Sequence, residues 1–253
     1  MTGFRQRLLN REVLIGTFLK TPTTHATEIL GSLGFDFVVI DQEHAPFDRA
    51  QTDVLLLAAR ASGVFGVVRV PSAAPEGLLS VLDCGADAVL VPHVVNAGMA
   101  QRIVRACRYR GGSRGFSASP RAGHYGGRAM WDHVDAADAA VAVIAMIEDP
   151  EAVEHIDEIL AVPGLDAIFI GRGDLTVAWG AASKDAPAIL DAVARITTAA
   201  AAAGTPVCLM TDSLAEAKTF ADQGATAFIV ASDQAFMRKA ARAALAEFGT
   251  LKR

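Results

Sequence analysis

The chain is poor in the features that mark several protein classes. It has three cysteines, Cys84, Cys107 and Cys208, an odd number with no CxxC spacing. That excludes a disulfide framework and a cysteine-based zinc site, and it fits a reducing compartment. Cys208 falls inside an apolar run and Cys84 abuts a helix-ending glycine, positions typical of small core residues. No basic cluster stands out and the formal net charge is −5, which argues against nucleic acid as the main partner. Apart from the alanine stretch 199–203, no apolar run exceeds strand length, so no segment is expected to span a membrane. Residues 1–12 carry three arginines with no apolar segment behind them, unlike a secretory leader. A glycine-rich GxGxxG turn after the first strand is missing too, which removes support for a dinucleotide-binding sheet. The expectation is a soluble, cytoplasmic protein with no nucleic-acid or membrane partner.

What is present is a regular alternation. The chain has 253 residues, 52% of them apolar, enough for one large α/β domain spanning 1–253. Branched and aromatic runs predict eight strands, near 13–20, 37–40, 66–70, 88–91, 141–147, 167–170, 206–210 and 227–230. Helical stretches lie between them. Asp48 is a good N-cap for a helix over 49–61, Pro150 opens one reaching residue 160, and Asp185 caps a long alanine-rich helix ending at Gly204. Ser213 and Glu216 have capping-box spacing, and a last amphipathic helix covers about 234–248. One junction recurs. Gly34-Phe-Asp36, Gly85-Ala-Asp87, Gly164-Leu-Asp166 and Gly224-Ala-Thr226 each end a helix, turn, and start a buried strand. Eight strands alternating with helices point to a (β/α)8 TIM barrel, with an open doubly wound sheet as the alternative. The pattern lapses over 109–131, a Gly-, Arg- and Ser-rich stretch read as an active-site loop.

In such a barrel the strand ends that share one face carry the chemistry. Strand two empties into Asp41-Gln42-Glu43-His44-Ala45-Pro46, strand three ends in Arg69, strand five in Glu148, and Asp174 follows strand six. Charges at the mouth of buried strands are costly unless paired or used. Glu148 and Asp174 are oxygen ligands on neighbouring strands, a set that with waters suits Mg²⁺ or Mn²⁺. Each also fits the plainer role of a helix N-terminal acid. Arg69 needs an anionic partner. A bend could bring His44 against Asp41, leaving its second ring nitrogen as a base. Met210, at the end of strand seven, is a pocket or core residue. His124 and His133 could serve a metal or be plain mobile loop histidines, and His25 and His155 are read as helix-surface residues. Arg172-Gly173-Asp174 spells an adhesion tripeptide, read as coincidence, and Arg110-Gly-Gly as loop rather than RNA-binding sequence.

Taken together, Asp41-Gln-Glu-His-Ala-Pro, Val68-Arg69, Leu82-Asp83-Cys-Gly-Ala and Phe169-Ile-Gly171-Arg-Gly-Asp174-Leu resemble the HpcH/HpaI class of metal-dependent pyruvate aldolases, from Gly16 to about Val230. The resemblance implies a barrel whose last helix is exchanged between subunits, assembled as a hexamer (a trimer of dimers). It implies a class II aldolase that cleaves 4-hydroxy-2-oxo acids to pyruvate, or a related 2-oxo acid, and an aldehyde through a metal-stabilised enolate. Glu148 and Asp174 would hold Mg²⁺, Mn²⁺ or Co²⁺. Arg69 would reach the ketone oxygen, and the Gly173 and Asp174 amides would receive the carboxylate. His44, oriented by Asp41 or Asp83, would be the base, and Met210 would line the substrate pocket.

The chain departs from that pattern at Met146, where Gln is usual, and at Gln42, where Gly is frequent. Lys20 and His93 also stand where apolar residues are common, at positions that could touch the aldehyde end of the substrate or simply form the rim. The competing readings are a Schiff-base aldolase using Lys20, a citrate-lyase-type acyl-CoA lyase, and a non-catalytic barrel that binds 2-oxo acids.

Overall fold

The computed structural model describes residues 2–252. In chain order its elements are α1 (Phe4–Leu9), β1 (Leu14–Leu19), α2 (Thr24–Ser32), β2 (Phe37–Asp41), α3 (Arg49–Ala61), β3 (Phe65–Arg69), α4 (Pro75–Asp83), β4 (Ala88–Val91) and α5 (Ala97–Cys107). A 3-10 turn (Arg121–Gly126) precedes α6 (Met130–Ala140), β5 (Ala142–Ile147), α7 (Pro150–Glu154), α8 (Ile156–Leu160), β6 (Ala167–Ile170), α9 (Arg172–Ala178) and α10 (Pro187–Ala203). Then come β7 (Val207–Thr211), α11 (Leu214–Asp222), β8 (Ala225–Ser232), α12 (Asp233–Phe248) and a closing 3-10 turn (Gly249–Lys252). The eight strands are parallel and form a closed barrel in the order β1 to β8, with β8 pairing back onto β1. This is the TIM barrel expected from the alternation.

Strand periodicity sorts the side chains into two separate cores. Phe18, Phe37, Val39, Val67, Leu90, Ile144, Met146, Phe169 and Ile229 point into the barrel. Leu19, Val38, Ile40, Val68, Val89, Val143, Ile168 and Leu209 point outward under the helices. The inner core is closed at one end by α1, whose Phe4 and Leu8 are buried in it. Phe4 meets Phe37 and Phe65 with ring centroids 5.4 and 5.7 Å apart.

The recurring junction has a physical purpose at this same end. Gly34, Gly85, Gly164 and Gly224 all take φ between +87° and +96°, a conformation that favours glycine. The aspartate two residues later reaches the preceding strand. Asp36 accepts the Ile15 N–H at 2.8 Å, Asp87 the Gly66 N–H at 2.9 Å, and Asp166 the Val143 N–H at 2.9 Å. Two of the three carry arginine partners from α1, Arg7 to Asp36 and Arg5 to Asp166. Asp87 has no such partner among the described residues, and burial raises its carboxyl to about 6.

Several expectations need correction. Residues 109–131 are not wholly irregular, since they contain the 3-10 turn and the start of α6. The helix after Pro150 breaks at His155 into α7 and α8. Asp185 does not cap α10: Ala186 holds the N-cap position because Pro187 takes the first helical site. Only half of the Ser213 capping box forms. The Ser213 hydroxyl accepts the Glu216 N–H, while the Glu216 carboxylate turns to Arg172 and the Asp212 N–H. The Asp48 cap forms as expected, and Gln51 completes its capping box.

Candidate active site

Register builds the first half of the site. Leu19 pairs with Ile40 and Asp41 pairs with Arg69, so Lys20, Asp41 and Arg69 form a row across the ends of β1, β2 and β3. Asp41 is 0% exposed and serves as the hub. It accepts Arg69 Nε at 2.8 Å and Nη2 at 2.7 Å, a bidentate pair. Its Oδ2 also accepts Lys20 Nζ at 2.5 Å, and its Oδ1 the His44 backbone N–H at 3.1 Å. Burial works against ionisation, but the Arg69 and Lys20 hydrogen bonds outweigh it and hold the carboxyl down at about 2. The Arg69 guanidinium stacks 4.8 Å over the Phe18 ring. Its Nη1 lies 3.4 Å from Glu43 Oε2.

The second half lies across the mouth, after β5 and β6. Glu148 is 2% exposed. Its Oε1 accepts the His93 backbone N–H at 2.9 Å. His93 reaches it from φ +55°, a backbone state that L residues rarely adopt. Burial, together with the charges of Asp174 and Glu43, outweighs the His93 contribution and raises the Glu148 carboxyl to about 7. Gly171 makes room for it, because a Cβ there would sit 2.5 Å from Glu148 Cβ and 2.6 Å from Oε2. Asp174 stands in the first turn of α9. Partial burial would lower the His93 ring pKa, but the 3.0 Å hydrogen bond to Asp149 and the charges of Glu148, Asp149 and Glu43 raise it.

Between the two halves lies a cavity of about 290 Å³. Phe18, Met146 and Phe169 give it apolar surface, and Lys20, Arg69, Gly173, Asp174 and Met210 reach it from the rim. Met210 is 37% exposed and belongs to this wall, not to the core. Lys184 and Asp212 also line it, paired with each other.

Other expected residues are placed differently. The His44 ring is not oriented by Asp41, whose oxygens are taken by Arg69, Lys20 and the His44 main chain. The ring lies exposed at the rim, its Nε2 3.8 Å from Glu43 Oε2. Asp83 does not meet it either, and pairs instead with Arg114 Nη2 at 3.5 Å. His133 is no mobile loop residue. It is buried in α6 between Tyr109 and Phe116, its Nε2 3.3 Å from the Tyr109 hydroxyl. Arg172 is buried, bonded to Glu216 and stacked on Phe220, so the tripeptide is not displayed for adhesion. Nothing in the sequence sets Gly171 apart as the space for Glu148, although its place just after a strand is the usual position for a close approach.

Among the described residues no group of three or more His, Cys, Asp or Glu could hold a metal. Glu148 and Asp174 would offer a divalent cation two hard oxygen donors, leaving its other positions to waters. The fit to such a cation is physical: a buried carboxylate facing further acids, with a single N–H donor, is relieved by positive charge.

The HpcH/HpaI aldolase/citrate lyase family profile matches residues 14–240. The chain belongs to this family. Within the HpcH/HpaI family it is 35% identical over 254 residues to a hydroxypyruvate/pyruvate aldolase of Roseovarius nubinhibens, covering 98% of this chain and 96% of the other. It is 34% identical to a 5-keto-4-deoxy-D-glucarate aldolase of an Enterobacter species, covering 94% of this chain and 93% of that one. Among solved structures it resembles an HpcH/HpaI family protein from Burkholderia cenocepacia, with a TM-score of 0.91, 32% identity, and coverage of 96% and 97% of the two chains. The citrate synthase SbnG is similar too, with a TM-score of 0.90, 29% identity, and 99% and 98% coverage.

Proposed function

We propose that the chain is a metal-dependent aldolase that reversibly cleaves 4-hydroxy-2-oxo acids to pyruvate, or a related 2-oxo acid, and an aldehyde. The observation that carries this reading is the pairing of opposites across one cavity. Asp174 lines one side, with the buried Glu148 carboxylate, raised to about 7 in part by the Asp174 charge, packed against Gly171, and a fixed guanidinium, Arg69, lines the other.

Glu148 and Asp174 would hold the divalent cation, Mg²⁺, Mn²⁺ or Co²⁺. When bound, it supplies Lewis-acid stabilisation of the negative charge that develops on the 2-oxo acid. Arg69 serves the same end. Asp41 fixes its Nε and Nη2, so the guanidinium cannot swing away, and it needs no reorganisation when charge appears on the ketone oxygen. The N–H groups of Gly173 and Asp174, in the unsatisfied first turn of α9, are donors for the 2-oxo acid's carboxylate. Phe18, Met146 and Phe169 keep water from that end of the cavity. His44 at the rim is the base that takes the 4-hydroxyl proton, an imidazole being suited to reversible transfer near neutral pH.

The Schiff-base alternative is disfavoured because Lys20 Nζ is engaged with the buried Asp41. The likeness to SbnG favours citrate synthesis as the second reading, and product analysis separates the two. We also propose a homohexamer with α12 exchanged between subunits. Met237, Leu245 and Phe248 are exposed along that helix, and a neighbouring subunit would cover them. Light scattering at six times the chain mass is the expected result. No helix among the described residues is long and apolar enough to cross a membrane. The three buried, unpaired cysteines support a reducing, cytoplasmic setting.

The decisive experiment follows pyruvate release by coupled lactate dehydrogenase and Mn²⁺ binding by calorimetry. Activity should vanish with EDTA, return with Mn²⁺, and survive borohydride. Glu148→Gln should lose Mn²⁺ binding, and His44→Ala should keep it while kcat falls about 10²–10⁴-fold. A Glu148→Gln protein that retains metal and rate overturns the ligand assignment.

A further inference from the structure

Lys20 is a charged group on the cavity wall that the proposed reaction leaves without a task. The fold nevertheless fixes it with care. Its N–H and that of Thr21 both donate to the buried Asp233 carboxylate, at 2.9 and 3.0 Å, and its carbonyl accepts Gln234 Nε2 at 3.3 Å. The start of α12 thereby clamps the end of β1. The side chain runs over Phe18, with Nζ 5.6 Å from the ring centroid, and lines the cavity.

Its charge is only partly answered. Lys184, the other lysine on the wall, has two carboxylates, Asp212 and Glu216. Lys20 has one among the described residues, Asp41, and shares it with Arg69. One bond to Asp41 leaves two ammonium N–H donors for the cavity. The location matters as well. In the closed order β1 to β8, β1 lies diametrically across from β5, so Lys20 faces the Glu148 side from the far wall. A 2-oxo acid held between Glu148, Asp174 and Arg69 would extend its remaining carbons toward β1.

We propose that Lys20 determines specificity by binding an acidic group at the distal end of the substrate, so that the preferred substrates are 2-oxo acids with a second carboxylate on the aldehyde-derived half. This rests on the aldolase reading for where the 2-oxo end sits, but its test does not depend on turnover.

The test is calorimetric titration of the Mn²⁺-loaded protein with two unreactive probes of equal chain length, 2-oxoglutarate and 2-oxopentanoate. Wild type should bind the diacid at least ~10-fold more tightly. Lys20→Met and Lys20→Gln should reduce that preference to ~3-fold or less with 2-oxopentanoate affinity unchanged, and Lys20→Arg should retain it. Equal wild-type affinities, a preference that survives both neutral variants, or an equal loss for both probes overturns the proposal. The last result would make Lys20 only a prop for Asp41 and Arg69. Aldol addition of pyruvate to succinic semialdehyde and to butanal separates the two readings. A diacid preference without any aldol product sinks the aldolase and keeps Lys20. Equal rates with both aldehydes, unchanged in Lys20→Met, sink the Lys20 proposal and keep the aldolase. Binding of neither probe sinks both.

Discussion

Replacing Asp41 by Asn keeps the side chain's shape and removes its charge from the centre of a buried cluster. In the native chain this carboxylate answers Arg69 through two hydrogen bonds of 2.8 and 2.7 Å and Lys20 through one of 2.5 Å. In the variant, Arg69 keeps only Glu43, at 3.4 Å from Nη1, and Lys20 has no carboxylate left among the described residues. The new amide N–H groups would also point at one of the cations. Removing one member of a buried ion pair costs about 3–5 kcal/mol, because the partner stays desolvated. Asp41→Asn should therefore lose about that much in urea unfolding at neutral pH. The pH dependence gives a second readout. The folded-state carboxyl is held at about 2, below its unfolded value near ~3.9. Its contribution is therefore present above that unfolded value and is lost as pH falls through about 2. Wild type should show this acid-side loss and Asp41→Asn should lack it. The double variant Asp41→Asn/Lys20→Met should recover part of the deficit, since a stranded ammonium is removed. A single variant within ~0.5 kcal/mol of wild type would refute the idea that this carboxylate holds the row together.

Asp87 is displaced in the opposite direction, to about 6, so the folded state favours its protonated form and stability from this group falls as pH rises from ~4 to 6. Asp87→Asn keeps an acceptor for the Gly66 N–H and should raise stability at pH 7–8 by about 1–2 kcal/mol, with little change at pH 4, as read by thermal melts across pH. Gly171→Ala forces a methyl to within 2.6 Å of Glu148 Oε2. It should weaken Mn²⁺ binding at least ~10-fold while circular dichroism stays unchanged, a size typical for disturbing the surroundings of a metal ligand.

The parts of the fold that depend on local sequence were legible. The four glycine junctions, the Asp48 cap and the apolar strands all appear where the residues place them. The parts set by tertiary packing were not. Helix α1 has six residues and no side-chain cap, and its reason for being helical is the barrel end that Phe4 and Leu8 fill. Helix α6 also lacks a capping side chain, and its alanines and aspartates show little apolar periodicity. The position of Pro187 moved the N-cap of α10 one residue past Asp185, to Ala186. At the mouth, the charged strand ends could be read directly, and three of them, Lys20, Arg69 and Asp174, line the cavity. Their pairing could not, because the Asp41 carboxylate meets the Arg69 guanidinium rather than the His44 ring through inter-strand register, which no single strand encodes.

The α1 stopper also shapes the traffic of small molecules. With Phe4 and Leu8 packed into the opposite end, the cavity opens at the strand ends that carry Lys20, Arg69 and Asp174. Whatever lies deepest must then leave last. For the proposed cleavage this means ordered departure, with the aldehyde first and the 2-oxo acid afterwards. Added pyruvate should therefore compete directly with incoming substrate, and added aldehyde should not.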